Sequence, residues 1–256
     1  MGRGYSTPAV VNGRLFLMES EGLENESVMA LDARDGKRIW STRLGNVGNP
    51  KQQPNFPTAR STPTLEGDLL YAQSSDGDVA CLDAKTGNVR WKKNIRNEYG
   101  GKTAEWAYAE SPLLDGDALV CAPGGSAATV IALRKSTGDL IWKCPLPEAD
   151  DAGFSSAIVV EVGGIREYVR LLTKGLVGIE ASTGRFLWRY SKPISKYGAN
   201  IQTPVASGDY VFCSSTGTGA GVVKLEKAWA YPVVADGRLY IRDNNVLWCY
   251  AVGSVK

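Results

Sequence analysis

The chain lacks the residue type on which many catalytic sites are built. It contains no histidine, which excludes Ser-His-Asp and Cys-His nucleophile systems and histidine-ligated metal or haem sites in their usual forms. Five cysteines, Cys81, Cys121, Cys144, Cys213 and Cys249, form neither an adjacent pair nor a C-x-x-C motif. They read as small buried hydrophobes, and they leave the redox compartment open. The stretch Gly217-Thr218-Gly219-Ala220-Gly221 departs from G-x-G-x-x-G and runs into Val222-Val223-Lys224-Leu225, a strand and not a helix. It therefore reads as a glycine-rich loop without a phosphate-binding role. No catalytic residue and no metal ligand is assigned.

What remains is a set of polar and aromatic residues placed just ahead of a recurring S-T-P-like signal. Aligned on its proline, the position two before holds Ser6, Ser61, Glu110, Ser155, Gln202 and Ala230. The position three before holds Tyr5, Arg60, Ala109, Phe154, Ile201 and Trp229. Two long loops, Gly45–Ala59 and Asn97–Ala107, add Trp106, with Tyr108 just beyond. The candidate ligand or partner residues are thus Tyr5, Arg60, Trp106, Tyr108, Glu110, Gln202 and Trp229. Mixed charge and aromatic surface suits a protein or a small polar ligand. The competing reading has Arg60 and Glu110 paired with each other or with loop backbone, and Trp106 and Tyr108 packed on a neighbouring sheet.

The elements that carry these residues come from an internal repeat. Four segments share one ending: Ala30-Leu31-Asp32-Ala33-Arg34-Asp35-Gly36 with Trp40, Cys81-Leu82-Asp83-Ala84-Lys85-Thr86-Gly87 with Trp91, Ala132-Leu133-Arg134-Lys135-Ser136-Thr137-Gly138 with Trp142, and Gly178-Ile179-Glu180-Ala181-Ser182-Thr183-Gly184 with Trp188. Upstream, tight-turn pairs recur at Asn12-Gly13, Glu66-Gly67, Asp115-Gly116, Gly163-Gly164, Ser207-Gly208 and Asp236-Gly237, each between β-branched or apolar runs, as hairpins require. The spacing is about 49 residues, within the range of propeller repeats. Each full unit reads as four strands; in the second these are 61–65, 69–74, 78–84 and 88–93. No 3.6-residue apolar period longer than two turns appears. The fold class is all-β, a β-propeller of four-stranded antiparallel blades, as one domain over 1–256 with repeats near 5–44, 60–96, 106–146, 153–192, 199–226 and 227–256.

The last two repeats are incomplete. No T-G-x-x-x-W segment follows Trp188, and the fifth unit passes at Glu226-Lys227 straight into the sixth. Two outer strands are missing by this reading, and unpaired edges invite association, including self-association. The tryptophans should fill space between sheets, and Asp32 and Asp83 should bond their own turn backbone.

The repeat A-L-D-A-x-T-G-x-x-x-W resembles the pyrroloquinoline-quinone (PQQ)-type repeat of quinoprotein propellers. That family holds quinoprotein alcohol and sugar dehydrogenases, a propeller lipoprotein of the bacterial outer-membrane barrel-assembly machinery, and many bacterial PQQ-binding-like β-propeller proteins. The lead-in segments at Tyr5-Ser6-Thr7-Pro8, Arg60-Ser61-Thr62-Pro63 and Glu105–Pro112 look most like the last group. Relatives of this kind usually carry more repeats, so the chain looks shortened. The resemblance implies PQQ and calcium as cofactors in the dehydrogenases, held with an adjacent-cysteine disulfide that this sequence lacks. No cofactor is therefore expected here. It also implies a bacterial, periplasmic or exported protein. The start shows no apolar signal segment, and a native start would place the protein in the cytoplasm.

Charge adds little. Lys+Arg is 29 and Asp+Glu is 27, a net charge of +2, which gives no electrostatic footprint for nucleic acid. No apolar run is long enough to insert in a membrane as a helix. The expectation is a non-catalytic binding or scaffold propeller, with a PQQ-dependent alcohol or sugar dehydrogenase-like protein, intact or degenerate, as the alternative.

Overall fold

A computed structural model describes residues 2–51, 57–195 and 198–225, together with the backbone of three later strands, 233–235, 238–243 and 246–251. The described residues are all-β apart from one short helix. Sheet 1 is β1 (Ala9–Val11), β2 (Arg14–Glu21), β3 (Asn25–Asp32) and β4 (Arg38–Gly45). Sheet 2 is β5 (Thr64–Glu66), β6 (Leu69–Gln73), β7 (Asp78–Asp83) and β8 (Val89–Asn94), and α1 (Ile95–Tyr99) follows it. Sheet 3 is β9 (Leu113–Asp115), β10 (Ala118–Cys121), β11 (Val130–Arg134) and β12 (Leu140–Cys144). Sheet 4 is β13 (Ile158–Val162), β14 (Ile165–Leu172), β15 (Gly175–Glu180) and β16 (Phe186–Tyr190). Sheet 5 has three strands, β17 (Val205–Ser207), β18 (Tyr210–Ser215) and β19 (Gly219–Lys224), and so does sheet 6, β20 (Val233–Ala235), β21 (Arg238–Asp243) and β22 (Val246–Ala251). Every sheet is an antiparallel meander in chain order.

Two local expectations change. The glycine-rich stretch is not wholly loop, because β19 begins at Gly219 and takes in Ala220 and Gly221. The second long loop opens with α1, which Asn94 caps by accepting the Asn97 N–H and which Gly100 ends in a left-handed conformation. Five residues are too few to leave an apolar period in the sequence.

Sheets 1 to 5 stack face to face in chain order. One apolar cluster joins sheets 1 and 2 through Phe16, Val28 and Ala30 against Leu70, Ala80 and Leu82. A second runs through sheets 2, 3 and 4, and a third joins sheets 4 and 5 through Val169, Leu171 and Leu176 with Val211 and Cys213.

The shared sequence ending explains the stacking. The fourth-strand tryptophan serves the following sheet. The Trp40 indole N–H donates to the Ala84 carbonyl at 3.2 Å, that of Trp91 to Lys135 at 2.8 Å, and that of Trp142 to Ala181 at 3.0 Å. Each ring also lies over the glycine of that next turn. A Cβ on Gly87, Gly138 or Gly184 would stand 2.6, 2.8 or 2.5 Å from Trp40, Trp91 or Trp142, and all three glycines have positive φ. Glycine is thus required twice there, for backbone conformation and for the ring. The turn is held from inside its own repeat: Asp83 accepts from the N–H groups of Lys85 and Thr86 at 3.0 and 2.9 Å, and Asp32 from that of Arg34 at 2.9 Å. At Trp188 the series ends. Sheet 5 has no such turn, and the Trp188 indole donates instead to Glu167 of its own sheet at 2.7 Å.

Candidate functional site

The turns that carry the glycines lie at one end of the sheets. The loops joining one sheet to the next lie at the other, where β3 starts and β4 ends. That loop side holds the lead-in segments and most of the sequence-derived candidates.

Tyr5 and Arg60 come together. The Tyr5 N–H donates to the Ala59 carbonyl at 2.9 Å, which sets the lead-ins of sheets 1 and 2 side by side. The Arg60 guanidinium sits 5.4 Å from the centre of the exposed Tyr5 ring, a cation–π contact. Arg60 also donates to the Thr58 carbonyl at 3.0 Å. Trp106 packs on Phe154 with ring centres 5.7 Å apart, and Gln202 is exposed.

Tyr108 and Glu110 turn inward. Tyr108 is buried, and its hydroxyl donates to the Pro123 carbonyl at 2.8 Å. Burial pushes its phenol well above the usual range. Glu110 is 2% exposed. It accepts from the Ala122 N–H at 2.7 Å, from the Gln73 amide at 3.4 Å, and from the guanidinium of Arg170. Its charged partner is therefore Arg170 and not Arg60. Trp229 lies outside the described residues.

Position two before the proline has a structural meaning. Ser6 accepts from the Met18 N–H at 3.1 Å, Ser155 from that of Leu171 at 3.2 Å, and Glu110 from that of Ala122. Each clasps the lead-in to the second strand of its sheet. Arg170 itself was missed. Its only signal is an arginine inside the apolar run Tyr168-Val169-Arg170-Leu171-Leu172, and a buried charge demands a buried partner.

Between sheets 1 and 2 the loop side opens into a cleft of about 580 Å³. Asp76 and Arg96 line it and form an ion pair at 2.8 Å, beside Glu24, Asn46, Asn49 and Thr103 and the apolar Leu23, Val47 and Pro50. Burial raises the Asp76 pKa, and Arg96 works against that rise. The walls are tied down. Val47 N–H donates to Leu23 carbonyl at 2.9 Å, and Arg43 donates to the Glu24 carbonyl at 2.7 Å and to Asn46 at 2.8 Å. Asn49 donates to the carbonyl of Glu105, so the two long loops touch. Behind the cleft, buried Glu26 accepts from the Ser75 N–H at 2.8 Å and from the Ser75 hydroxyl, while Ser75 accepts from the Gly48 N–H at 2.9 Å. Burial outweighs those hydrogen bonds and lifts the Glu26 pKa to about 7.

Within the cleft Asp76 and Arg96 neutralise each other. Quinone and calcium find no fit among the described residues. The four described cysteines are separate buried thiols, and the buried carboxylate of Glu110 already has Arg170, Gln73 and Ala122 as partners. No group of three Cys, Asp or Glu side chains there could hold a metal.

Comparisons with known proteins agree with the repeat. A family profile described as outer membrane protein assembly factor BamB matches residues 1–127. Among curated proteins, BamB of Salmonella typhimurium is 24% identical over 140 residues, 55% of this chain and 31% of that protein. BamB of Burkholderia pseudomallei is 25% identical, over 81% of this chain and 61% of its own length. Tetrathionate hydrolase of Acidithiobacillus ferrooxidans is 20% identical over 98% of this chain and 51% of that protein. The chain therefore spans 31% to 61% of the length of these relatives. Among solved structures, BamB from Moraxella catarrhalis superposes with a TM-score of 0.59 at 16% identity, covering 92% of this chain and 68% of that one. A europium-containing methanol dehydrogenase gives 0.57 at 14% identity, covering 96% and 66%. Repeat, sheets and likenesses converge on a PQQ-like β-propeller repeat.

Proposed function

We propose that the protein is a non-catalytic propeller that binds another protein on its loop side, through the cleft between sheets 1 and 2 and the neighbouring Tyr5–Arg60 surface. One observation carries the reading: the cleft has walls tied by hydrogen bonds, with Asn49 joined to Glu105 across the two long loops, and offers donors, acceptors and apolar surface together. Preorganisation lowers the ordering cost of association, and mixed polar and apolar lining suits a polypeptide better than a single small charged ligand. The naming of several relatives as outer membrane protein assembly factors supports a protein partner in the bacterial envelope and an exported, periplasmic location. The likeness to a methanol dehydrogenase concerns the fold, and fold does not transfer chemistry.

Site-specific photo-crosslinking in the periplasm of a Gram-negative host tests this reading. A crosslinker at Thr103 is expected to capture a discrete protein, and one at Lys85, on the turn side, to capture none. Adduct formation should fall with Arg96→Ala. Equal capture from both positions, or capture indifferent to Arg96→Ala, would remove the cleft from the account.

A further inference from the structure

Sheet 5 differs from sheets 1 to 4 in a way that specifies what would complete it. In sheets 1 to 4 a row of directly opposed residues crosses all four strands. The rows are Ala9–Phe16–Ala30–Trp40, Thr64–Tyr71–Cys81–Trp91, Leu113–Val120–Ala132–Trp142 and Ile158–Val169–Gly178–Trp188. Their two middle residues are buried in every case. The matching row of sheet 5 is Val205–Phe212–Val222, and there it stops. Val205, Phe212 and Val222 are 62%, 45% and 61% exposed, and Tyr210 on the same face is 47% exposed.

The edge is equally distinctive. The outer strands β4, β8, β12 and β16 carry Arg38 and Arg43, Arg90, Lys92 and Lys93, Lys143, and Arg189, charges of the kind that discourage pairing with further strands. β19 reads Gly-Ala-Gly-Val-Val-Lys, with its one charge at its end. Among the described residues no strand pairs with its outer side. The connection from β19 to β20 is too short to supply one. From third strand to next sheet the chain runs through residues 33–63, 84–112, 135–157 and 181–204, but after β19 through only 225–232.

We infer that the fourth-strand place of sheet 5 is a strand-addition site: β19 takes an extended segment of a partner polypeptide, at least five residues long and apolar at alternate positions, as its antiparallel neighbour. Backbone hydrogen bonds to the bare edge provide affinity, and the side chain opposite Val222 continues the exposed row. Val222 stands where the other sheets have Ala30, Cys81, Ala132 or Gly178 and fills part of the space the indole takes there. The incoming residue opposite it is thus a Val, Ile or Leu. The sheet-on-sheet interface repeated along the molecule continues onto this row, so the partner covers the Val205–Phe212–Val222 face as well as the edge. A second copy pairing β19 with β19 would merge two exposed apolar rows and leave both uncovered. This place is on the perimeter and is independent of the loop-side cleft.

The probe is a fluorescent peptide of residues 183–191 carrying Trp188→Val, a single fourth strand adapted to Val222. Its anisotropy should rise saturably with the full chain. Prolines at positions 188 and 189 of the peptide should abolish the rise, since successive N–H groups face opposite edges and one of the two must face β19. Val222→Lys and Ala220→Lys, both on the exposed face, should each weaken binding about tenfold or more with unchanged thermal unfolding. Hydrogen exchange at β19 should slow on peptide addition. Binding that survives the prolines or both lysine variants overturns the assignment, as does no binding at all. A dimer seen by light scattering and lost in Val222→Lys would make a second copy the occupant, and that too overturns it.

Discussion

Glu110 and Glu26 are buried carboxylates held by partners from other elements. Glu110 and Arg170 join sheets 3 and 4 across the interior, and each is the other's charge partner. Removing one leaves the other buried and unpaired, so Glu110→Ala should cost about 3–5 kcal/mol in urea unfolding. The double variant Glu110→Leu with Arg170→Met should recover most of that loss. Glu26 gives a pH signature. Its pKa is raised on folding from 4.5 to about 7, so between those values the folded state holds a proton that the unfolded state releases. Its contribution is complete below about pH 4.5, shrinks as pH rises, and is gone above about pH 7. The whole fall is about 3 kcal/mol. Glu26→Gln should remove it, as a comparison of unfolding free energies at pH 5 and pH 8 will show. The sequence marked Glu110 as a polar departure because it stands where three other repeats have serine. It could not say which way the side chain points, because Arg170 lies 60 residues away in sequence and looks like any strand arginine until its burial is known.

At the scale of elements, the repeated ending is a latch between sheets. In sequence the tryptophan and the Thr-Gly turn belong to one repeat, yet in space each tryptophan meets the turn of the next. This separates two costs at glycine. Gly36 has φ +70° and nothing within 4 Å of its Cβ position, whereas Gly138 has φ +77° and Trp91 at 2.8 Å. Gly36→Ala should cost about 1–2 kcal/mol for the left-handed backbone alone. Gly138→Ala should cost a further 1–3 kcal/mol or so for crowding the ring. Trp91→Ala, which opens a gap between sheets 2 and 3, should cost about 3 kcal/mol. Matched denaturation curves check all three. The strands were legible because hairpin turns and period-2 runs recur; the helix after β8 and the start of β19 were not, because glycine and short polar stretches carry no period. The missing segment after Trp188 was legible as an interruption, and the structure adds what it leaves bare.

Over the whole molecule, the family and the all-β propeller fold follow from four repeated endings and six meanders, and the relatives agree at 20–25% identity. The site was less legible. Of the candidates, Tyr5 with Arg60 and Trp106 with Phe154 form surface pairs, Tyr108 and Glu110 belong to the interior, and the cleft lined by Asp76 and Arg96 draws on residues that no repeat alignment singles out. Loops are where repeats diverge, and a cleft between two loops leaves no periodic trace. We propose that this propeller binds and does not turn over. Titration calorimetry of the folded protein with PQQ and calcium, followed by a dye-linked assay on alcohols and sugars, decides between the two. A binding propeller gives no specific heat with quinone and no dye reduction above background; one-to-one quinone binding with substrate-dependent dye reduction would make it a dehydrogenase instead.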